Sequence, residues 1–303
     1  MSDIHFLGIE LGSTRIKAAG IDGSFRTVLS GDYTWKSDLV DGVWTYPMEK
    51  VWEGLRQATA PFSGSRLGAL GVSAMMHGYL AFDEDWRLLT PFRTWQNTMT
   101  ARAAAELSEL FDFNIPQRWS IAHLYQAILD REEHVPQIAH ITTLAGYVHF
   151  RLTGVNAVGI GEGSGIFPVD SAAKDYDAGM LADFDLLSAA HGFTRPVREL
   201  LPDILLAGES AGRVTEEGHE CRRAENGQRV RRDVSFFNGS VGKAALKALP
   251  GGGYSLHSHR ARRGNGTLLK LHGGSQRVGG YPPGGGGAVR RNRPGKRAFY
   301  EAV

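Results

Sequence analysis

The sequence predicts an α/β layered domain over residues 1–218, followed by a basic, glycine-rich tail over residues 219–303. Three observations carry that reading. The chain opens on two apolar strand runs joined by a tight polar turn. Strand-like runs then alternate with runs of helical period, the pattern of sheet and helix layers sharing one core. Charge and composition change together near Gly218. Residues 219–303 hold 17 Lys and Arg against 4 Asp and Glu, a net +13, while residues 1–218 hold 17 against 28, a net −11. The whole-chain charge of +2 hides this split.

In chain order, Phe6–Glu10 and Ile16–Asp22 read as the first two strands, with the turn at Leu11–Arg15. Phe25–Trp35 suits a third. Pro47–Ala58 suits a helix beginning at a proline, with Val51, Trp52, Leu55 and Ala58 on one face. Leu67–Ser73 and Tyr79–Phe82 are short apolar strands, the second ending at the polar turn Asp83-Glu84-Asp85. Met99–Phe111 suits a helix. Ser120 is expected to cap the next, Ile121–Asp130, and Leu144–Leu152 suits another.

Apolar residues make up 42% of the 303, enough for a core, and no run of about 18 apolar residues suggests a membrane span. The start, MSDIHFLGIE, lacks the basic-then-apolar pattern of a secretory signal. The single cysteine, Cys221, excludes an intrachain disulfide and fits a reducing cytoplasm.

The opening hairpin has the make-up of a phosphate site. Gly12 is expected to take positive φ and to remove a side chain that would keep a ligand off the backbone. The turn offers backbone N–H groups and the hydroxyls of Ser13 and Thr14, donors of the kind that bind phosphate oxygens. Lys17 adds a positive charge to the same rim. Glu10 ends the first strand and could hold a hydrated Mg2+, which prefers carboxylate and phosphate oxygens. An ordinary β-hairpin with a glycine turn accounts for the same residues.

The stretch Gly8-Ile-Glu-Leu-Gly-Ser-Thr-Arg-Ile-Lys17 resembles the first phosphate motif of the actin-like ATPase superfamily, most closely the FGGY carbohydrate kinases, with Glu10 standing where the family has aspartate. Leu70-Gly-Val-Ser-Ala-Met-Met-His-Gly-Tyr-Leu-Ala-Phe-Asp83 is similar to the family's sugar-binding strand and loop, which carries Met-His-Gly in xylulose kinases. Thr94-Trp-Gln-Asn97 resembles the Trp-x-Asp/Asn element that follows. Gly161-Glu-Gly-Ser-Gly-Ile-Phe-Pro-Val-Asp170 resembles the Asn/Asp-Ala-Ser-Gly segment. Gly208-Glu-Ser-Ala-Gly-Arg-Val-Thr215 resembles the later Val/Leu-Thr strand. The set runs in order from residue 4 to about residue 218.

The resemblance implies a ribonuclease-H-like domain that transfers the ATP γ-phosphate to a hydroxyl of a ketopentose or related polyol, with ATP and Mg2+ as cofactors. Gly12, Ser13, Thr14 and Lys17 would hold phosphate and Glu10 the metal. Met76, His77, Gly78, Trp95 and Asn97 would form the sugar site. His77 can donate or accept a hydrogen bond, Gly78 allows close approach, and Trp95 offers a flat apolar face. Core packing is the commoner role of Met75 and Met76, and Trp86 and Trp119 read as packing residues. His123, His134, His140 and His149 show no zinc spacing.

The catalytic base stays unassigned. The family's is an aspartate in a glycine-rich loop some 20 to 30 residues past the Val-Thr strand. Here that interval, Cys221–Ser240, offers only Asp233, without a neighbouring glycine. The family's second domain is not identifiable either. Gly264-Asn-Gly-Thr267 is a faint echo of its phosphate motif, and Gly239-Ser-Val-Gly-Lys243 imitates a Walker loop without its first glycine or its Ser/Thr. An incomplete domain with impaired activity is therefore expected.

Residues 219–303, with 17 glycines and four Arg-Arg pairs, are read as disordered or as the product of a reading-frame shift in a GC-rich gene; only Ser240–Leu249 suggests a short helix. Two other functions compete: a non-catalytic sugar-binding fragment, and a basic-tail protein that binds nucleic acid through phosphates. The tail lacks the interleaved aromatics of single-strand binders, which disfavours the latter. The expected partners are a small-molecule sugar and at most a second copy in a homodimer, with no membrane and no nucleic acid.

Overall fold

A computed structural model describes residues 4–65 and 67–215 in full, with the backbone alone at 233–235, 247–249 and 253–254. These lie within one unit, Met1–His257; the second unit, Ser258–Val303, falls outside the described residues.

The central sheet grows from the opening hairpin. Strand β1 (Phe6–Leu11) pairs antiparallel with β2 (Arg15–Ile21), and β2 with β3 (Thr27–Thr34). Alternation fixes which face is buried. Leu7, Ile9 and Leu11 point inward from β1, and Ile16 and Ala18 from β2. A hairpin of β4 (Asp38–Val40) and β5 (Val43–Thr45) leads to α1 (Met48–Thr59). Helix α1 lays Val51, Leu55 and Ala58 on the sheet. Its approach is close because Gly54 has no side chain: a Cβ there would stand 2.5 Å from Tyr33 and 2.6 Å from Ile16.

Strand β6 (Ala69–Ala74) then joins β1 in parallel, each residue in step from Phe6↔Ala69 to Leu11↔Ala74. The chain crosses over through β7 (Leu80–Phe82), α2 (Ala101–Phe111), α3 (Ser120–Leu129) and β8 (His140–Thr142), which pairs with β7. Helix α4 (Leu144–Thr153) starts at a true cap, Thr143, whose hydroxyl accepts from Gly146 N at 3.1 Å. It ends at Gly154 with φ +74°, a left-handed stop.

Beyond it come β9 (Ala157–Gly159), α5 (Ile160–Gly163), the small pair β10 (Val169–Asp170) and β11 (Asp175–Tyr176), α6 (Ala178–Ala190), α7 (Val197–Leu200), β12 (Asp203–Leu205) beside β9, and β13 (Ser210–Arg213). Strand β14 (Asp233–Ser235) enters the main sheet, whose order is β13-β14-β6-β1-β2-β3. A pair of β15 (Lys247–Leu249) and β16 (Gly253–Tyr254) follows.

Two large apolar cores form among the described residues. One lies under the sheet, between α1 and α4; the other joins α2 and α3 to Phe167, Tyr176 and Phe184. Three expectations change. Ser120 is not a cap but the first residue of α3, with Trp119 at the cap position. Lys247–Leu249, expected at the end of a helix, is strand. The β4–β5 hairpin and α6 are additions. The Arg-Arg pairs, Gly239–Lys243 and Gly264–Thr267 fall outside the described residues.

Candidate functional site

The parallel register of β1 and β6 builds the site. Both strands end together, at Leu11 and Ala74, and Met75 N donates to Leu11 O at 2.8 Å. The turn at Gly12–Thr14 and the loop at Met76–Gly78 therefore leave neighbouring strands at one edge, the carboxyl ends where open α/β sheets bind ligands.

In the turn, Gly12 N donates to Arg15 O at 2.9 Å. Gly12 is not among the glycines at positive φ, which corrects the conformational reason expected for it. Its requirement is space: a Cβ would lie 3.1 Å from Arg15 O and 3.5 Å from Glu10 Oε1. The carbonyls of the turn are all engaged from within. Trp35 Nε1 donates to Gly12 O at 2.7 Å, Tyr46 OH to Ser13 O at 2.6 Å, and Trp35 N to Thr14 O at 3.1 Å. Ser13 and Thr14 themselves are exposed.

Glu10 and Lys17 face each other across the hairpin, with Nζ 3.4 Å from Oε2 and both side chains about half exposed. Glu10 shares the strand face of Gly8 and Gly12. A half-exposed carboxylate beside outward hydroxyls suits a hydrated divalent cation bridging to phosphate. The residues present fit Mg2+ and a polyphosphate.

The second loop is held from three sides. Gly78 has φ +117°, and a Cβ on it would stand 2.7 Å from Phe92 and 2.8 Å from Arg93 O, so only glycine fits. Gly78 N donates to Arg118 O at 3.1 Å, and Ser120 Oγ donates to Gly78 O at 2.6 Å. Tyr79 and Arg93 form an antiparallel bridge, which sets the residues before Tyr79 beside those after Arg93 and so brings the Met76–Gly78 loop to the Thr94–Asn97 loop. Arg93, itself buried, is anchored in turn by an ion pair with the half-buried Glu132.

His77 also adopts a left-handed backbone, φ +72°. Its ring stacks over Trp119, centroids 6.4 Å apart and planes 18° apart. Gly165 makes room for it: a Cβ there would lie 2.8 Å from His77 Nδ1 and 3.1 Å from Met76 Cε. Burial, with the Arg118 guanidinium adding repulsion, lowers the His77 pKa to about 4. The imidazole is therefore neutral near pH 7, able to donate at one nitrogen and accept at the other.

Trp95 is 44% exposed on its loop, available as an apolar face. Asn97 is not. It is 3% exposed; its Oδ1 accepts from Trp44 N at 2.9 Å, and its Nδ2 donates to Trp44 O at 2.8 Å and Thr94 O at 3.0 Å. An amide so used holds the Trp95 loop to β5.

Asp233 stands apart. At the start of β14 it pairs with Ala69, the opposite end of β6 from Ala74. At about 3.3 Å per residue that is roughly 16 Å from the site edge, which gives a structural reason to leave the base unassigned. Residues that the sequence reading missed are Trp35, Tyr46, Arg118 and Gly165. Gly165 lies inside a segment already singled out; nothing local marks the others, whose partners are distant in sequence. Trp119 packs as expected, but directly beneath His77.

The family model for the FGGY family of carbohydrate kinases, N-terminal domain, matches residues 5–222. No curated protein matches the chain. Among solved structures, a xylulose kinase from Rhodospirillum rubrum is 19% identical with a TM-score of 0.63, covering 76% of this chain and 48% of that one. A xyloylose kinase from Brucella ovis is 20% identical at 0.62, covering 76% and 47%. A gluconate kinase from Lactobacillus acidophilus is 16% identical at 0.62, covering 76% and 46%. The likeness at these identities is one of fold, and the chain spans about half the length of these enzymes.

Proposed function

The chain belongs to the FGGY family of carbohydrate kinases, and on that premise we propose that the shared edge of β1 and β6 binds a sugar of ketopentose size, or a related polyol, beside the phosphates of ATP. The observation that carries this is the in-step ending of the two strands, Met75 N to Leu11 O at 2.8 Å. It brings a phosphate-type turn and a Met-His-Gly loop within reach of one another. In-line transfer to a hydroxyl needs the two substrates side by side, and positioning supplies much of the rate.

In this reading Ser13, Thr14 and Lys17 hold phosphate oxygens, and Gly12 keeps the approach open. Glu10 would hold Mg2+, which when bound supplies positive charge beside those oxygens. Neutral His77 orients a sugar hydroxyl, Trp95 covers an apolar face, and Met76 and Gly78 shape the floor. Asn97 acts through the loop it fastens. The single cysteine suits a cytoplasmic place of action.

Turnover by this chain is proposed to be weak or absent, because no aspartate with the family's glycine-rich setting is found and Asp233 is in register with Ala69, at the other end of β6 from Ala74. Calorimetric titration with a panel of neutral pentuloses, polyols and sugar acids, alongside an ATP turnover assay with Mg2+, tests both halves. Saturable sugar binding without turnover is expected. Turnover clearly above a Glu10→Ala control would overturn the impairment, and no sugar binding at all would overturn the site.

A further inference from the structure

We infer that Trp35 and Tyr46 are positioning residues for the phosphate turn: a buried aromatic pair that grips the three carbonyls of Gly12–Thr14 and so turns the amides of that segment toward the ligand. This rests on the reading of the turn as a phosphate site.

A trans peptide is planar, with its C=O and the following N–H pointing in opposite directions. No cis bond occurs among the described residues. Trp35 Nε1 at 2.7 Å from Gly12 O fixes the first peptide with the Ser13 N–H directed away from the aromatic pair. Tyr46 OH at 2.6 Å from Ser13 O fixes the second in the same sense, directing the Thr14 N–H outward. Trp35 N at 3.1 Å from Thr14 O closes the set. A carbonyl oxygen facing a phosphate would repel it. Here each of those oxygens accepts a hydrogen bond from Trp35 or Tyr46, and the donors are left on the solvent side, as an anion-binding concavity requires.

The pair is built to be rigid. Trp35 is 6% exposed and Tyr46 1%. Their rings pack at 4.4 Å between centroids, and Tyr46 continues to Phe92 at 6.4 Å. Phe92 is the residue that a Cβ on Gly78 would strike. The hydroxyl of Tyr46 and the indole N–H of Trp35 are thus placed by packing before any ligand arrives, and preorganised donors are what make such sites effective.

The test is calorimetric titration of the full chain with ATP and Mg2+, and separately with its sugar, for wild type, Tyr46→Phe and Trp35→Phe. Tyr46→Phe keeps the ring and removes only the hydroxyl. Loss of one such hydrogen bond is expected to weaken nucleotide affinity about fivefold to tenfold, with sugar affinity unchanged and the fold retained. A purely structural role would instead weaken both ligands alike. If wild type and Tyr46→Phe bind nucleotide equally, the proposal fails while the phosphate reading stands. If the wild type binds no nucleotide, the phosphate reading fails and takes the proposal with it. Should Tyr46→Phe not fold, Trp35→Phe, which removes the indole N–H from Gly12 O, is read in the same way.

Discussion

Ser120 Oγ donates to the carbonyl of Gly78 across 2.6 Å, joining the first turn of α3 to the loop that carries Met76 and His77. Together with Gly78 N on Arg118 O, it ties both polar groups of one glycine to the segment entering α3. The loop is therefore held by its backbone, leaving its side chains for other use. Ser120→Ala would leave a buried carbonyl without its partner, at a cost of about 1–2 kcal/mol. The variant should lose that much in urea unfolding and bind sugar several-fold more weakly, while Ser120→Thr, which keeps the hydroxyl, restores both. Lost stability with unchanged sugar affinity would count against the loop as a sugar site.

Gly78→Ala tests the same loop by sterics. At φ +117° an L-residue is strained, and the new Cβ would stand 2.7 Å from Phe92 and 2.8 Å from Arg93 O, the latter unable to yield because it is backbone in a bridge. A loss of ~3 kcal/mol or more is expected in chemical denaturation. Gly12→Ala should behave differently. Its Cβ meets Arg15 O at 3.1 Å, so the fold should hold with a small loss, and the effect should appear in nucleotide binding.

Local signals made much of this legible from sequence. The opening hairpin, α1, β6 and α4 each announce themselves by alternation or helical period, and the Met-His-Gly loop by its residues. The β4–β5 hairpin could have been read too: Asp41-Gly42, both at positive φ, is a favoured two-residue turn. Helix α6 could not, because its apolar residues fall all round it, leaving Leu186 75% exposed. Site residues set by long-range contact stayed hidden. Trp35 and Tyr46 reach the turn across 23 and 33 residues. Asn97 had the right residue type for a ligand, yet its amide is spent on Trp44, a pairing that composition does not encode.

His77 should leave a signature in pH dependence. Folding lowers its pKa from 6.5 to about 4, chiefly by burial. The unfolded chain protonates first as pH falls, so stability is unaffected above about 6.5 and declines through the window from 6.5 to 4. His77→Gln lacks that titration. The stability gap between wild type and variant should narrow by ~1–2 kcal/mol between pH 7 and pH 4.5, allowing for partial exposure of the ring. Sugar affinity of the wild type should show no step near pH 6.5, since the ring is already neutral there. An affinity that titrates near 6.5 would show that the imidazole is not held neutral.

Glu162 carries the opposite sign. It lies in α5, three residues before Gly165, with Oε1 enclosed and no hydrogen-bond partner among the described residues. Burial raises its pKa from 4.5 to about 7, opposed by a hydrogen bond from Thr143. The folded protein keeps the proton after the unfolded chain has lost it, so the stability Glu162 contributes is full below pH 4.5 and erodes as pH rises through 7. Glu162→Gln removes that erosion while preserving size and a polar end. The variant should match the wild type in urea unfolding at pH 4.5 and exceed it by ~2 kcal/mol at pH 8. Tyr176 OH, also buried and unpartnered, lies 3.6 Å from where a Cβ on Gly163 would sit. Sugar affinity weakening above pH 7 in the wild type but not in Glu162→Gln would tie this buried acid to the site, and parallel pH profiles for the two proteins would separate them.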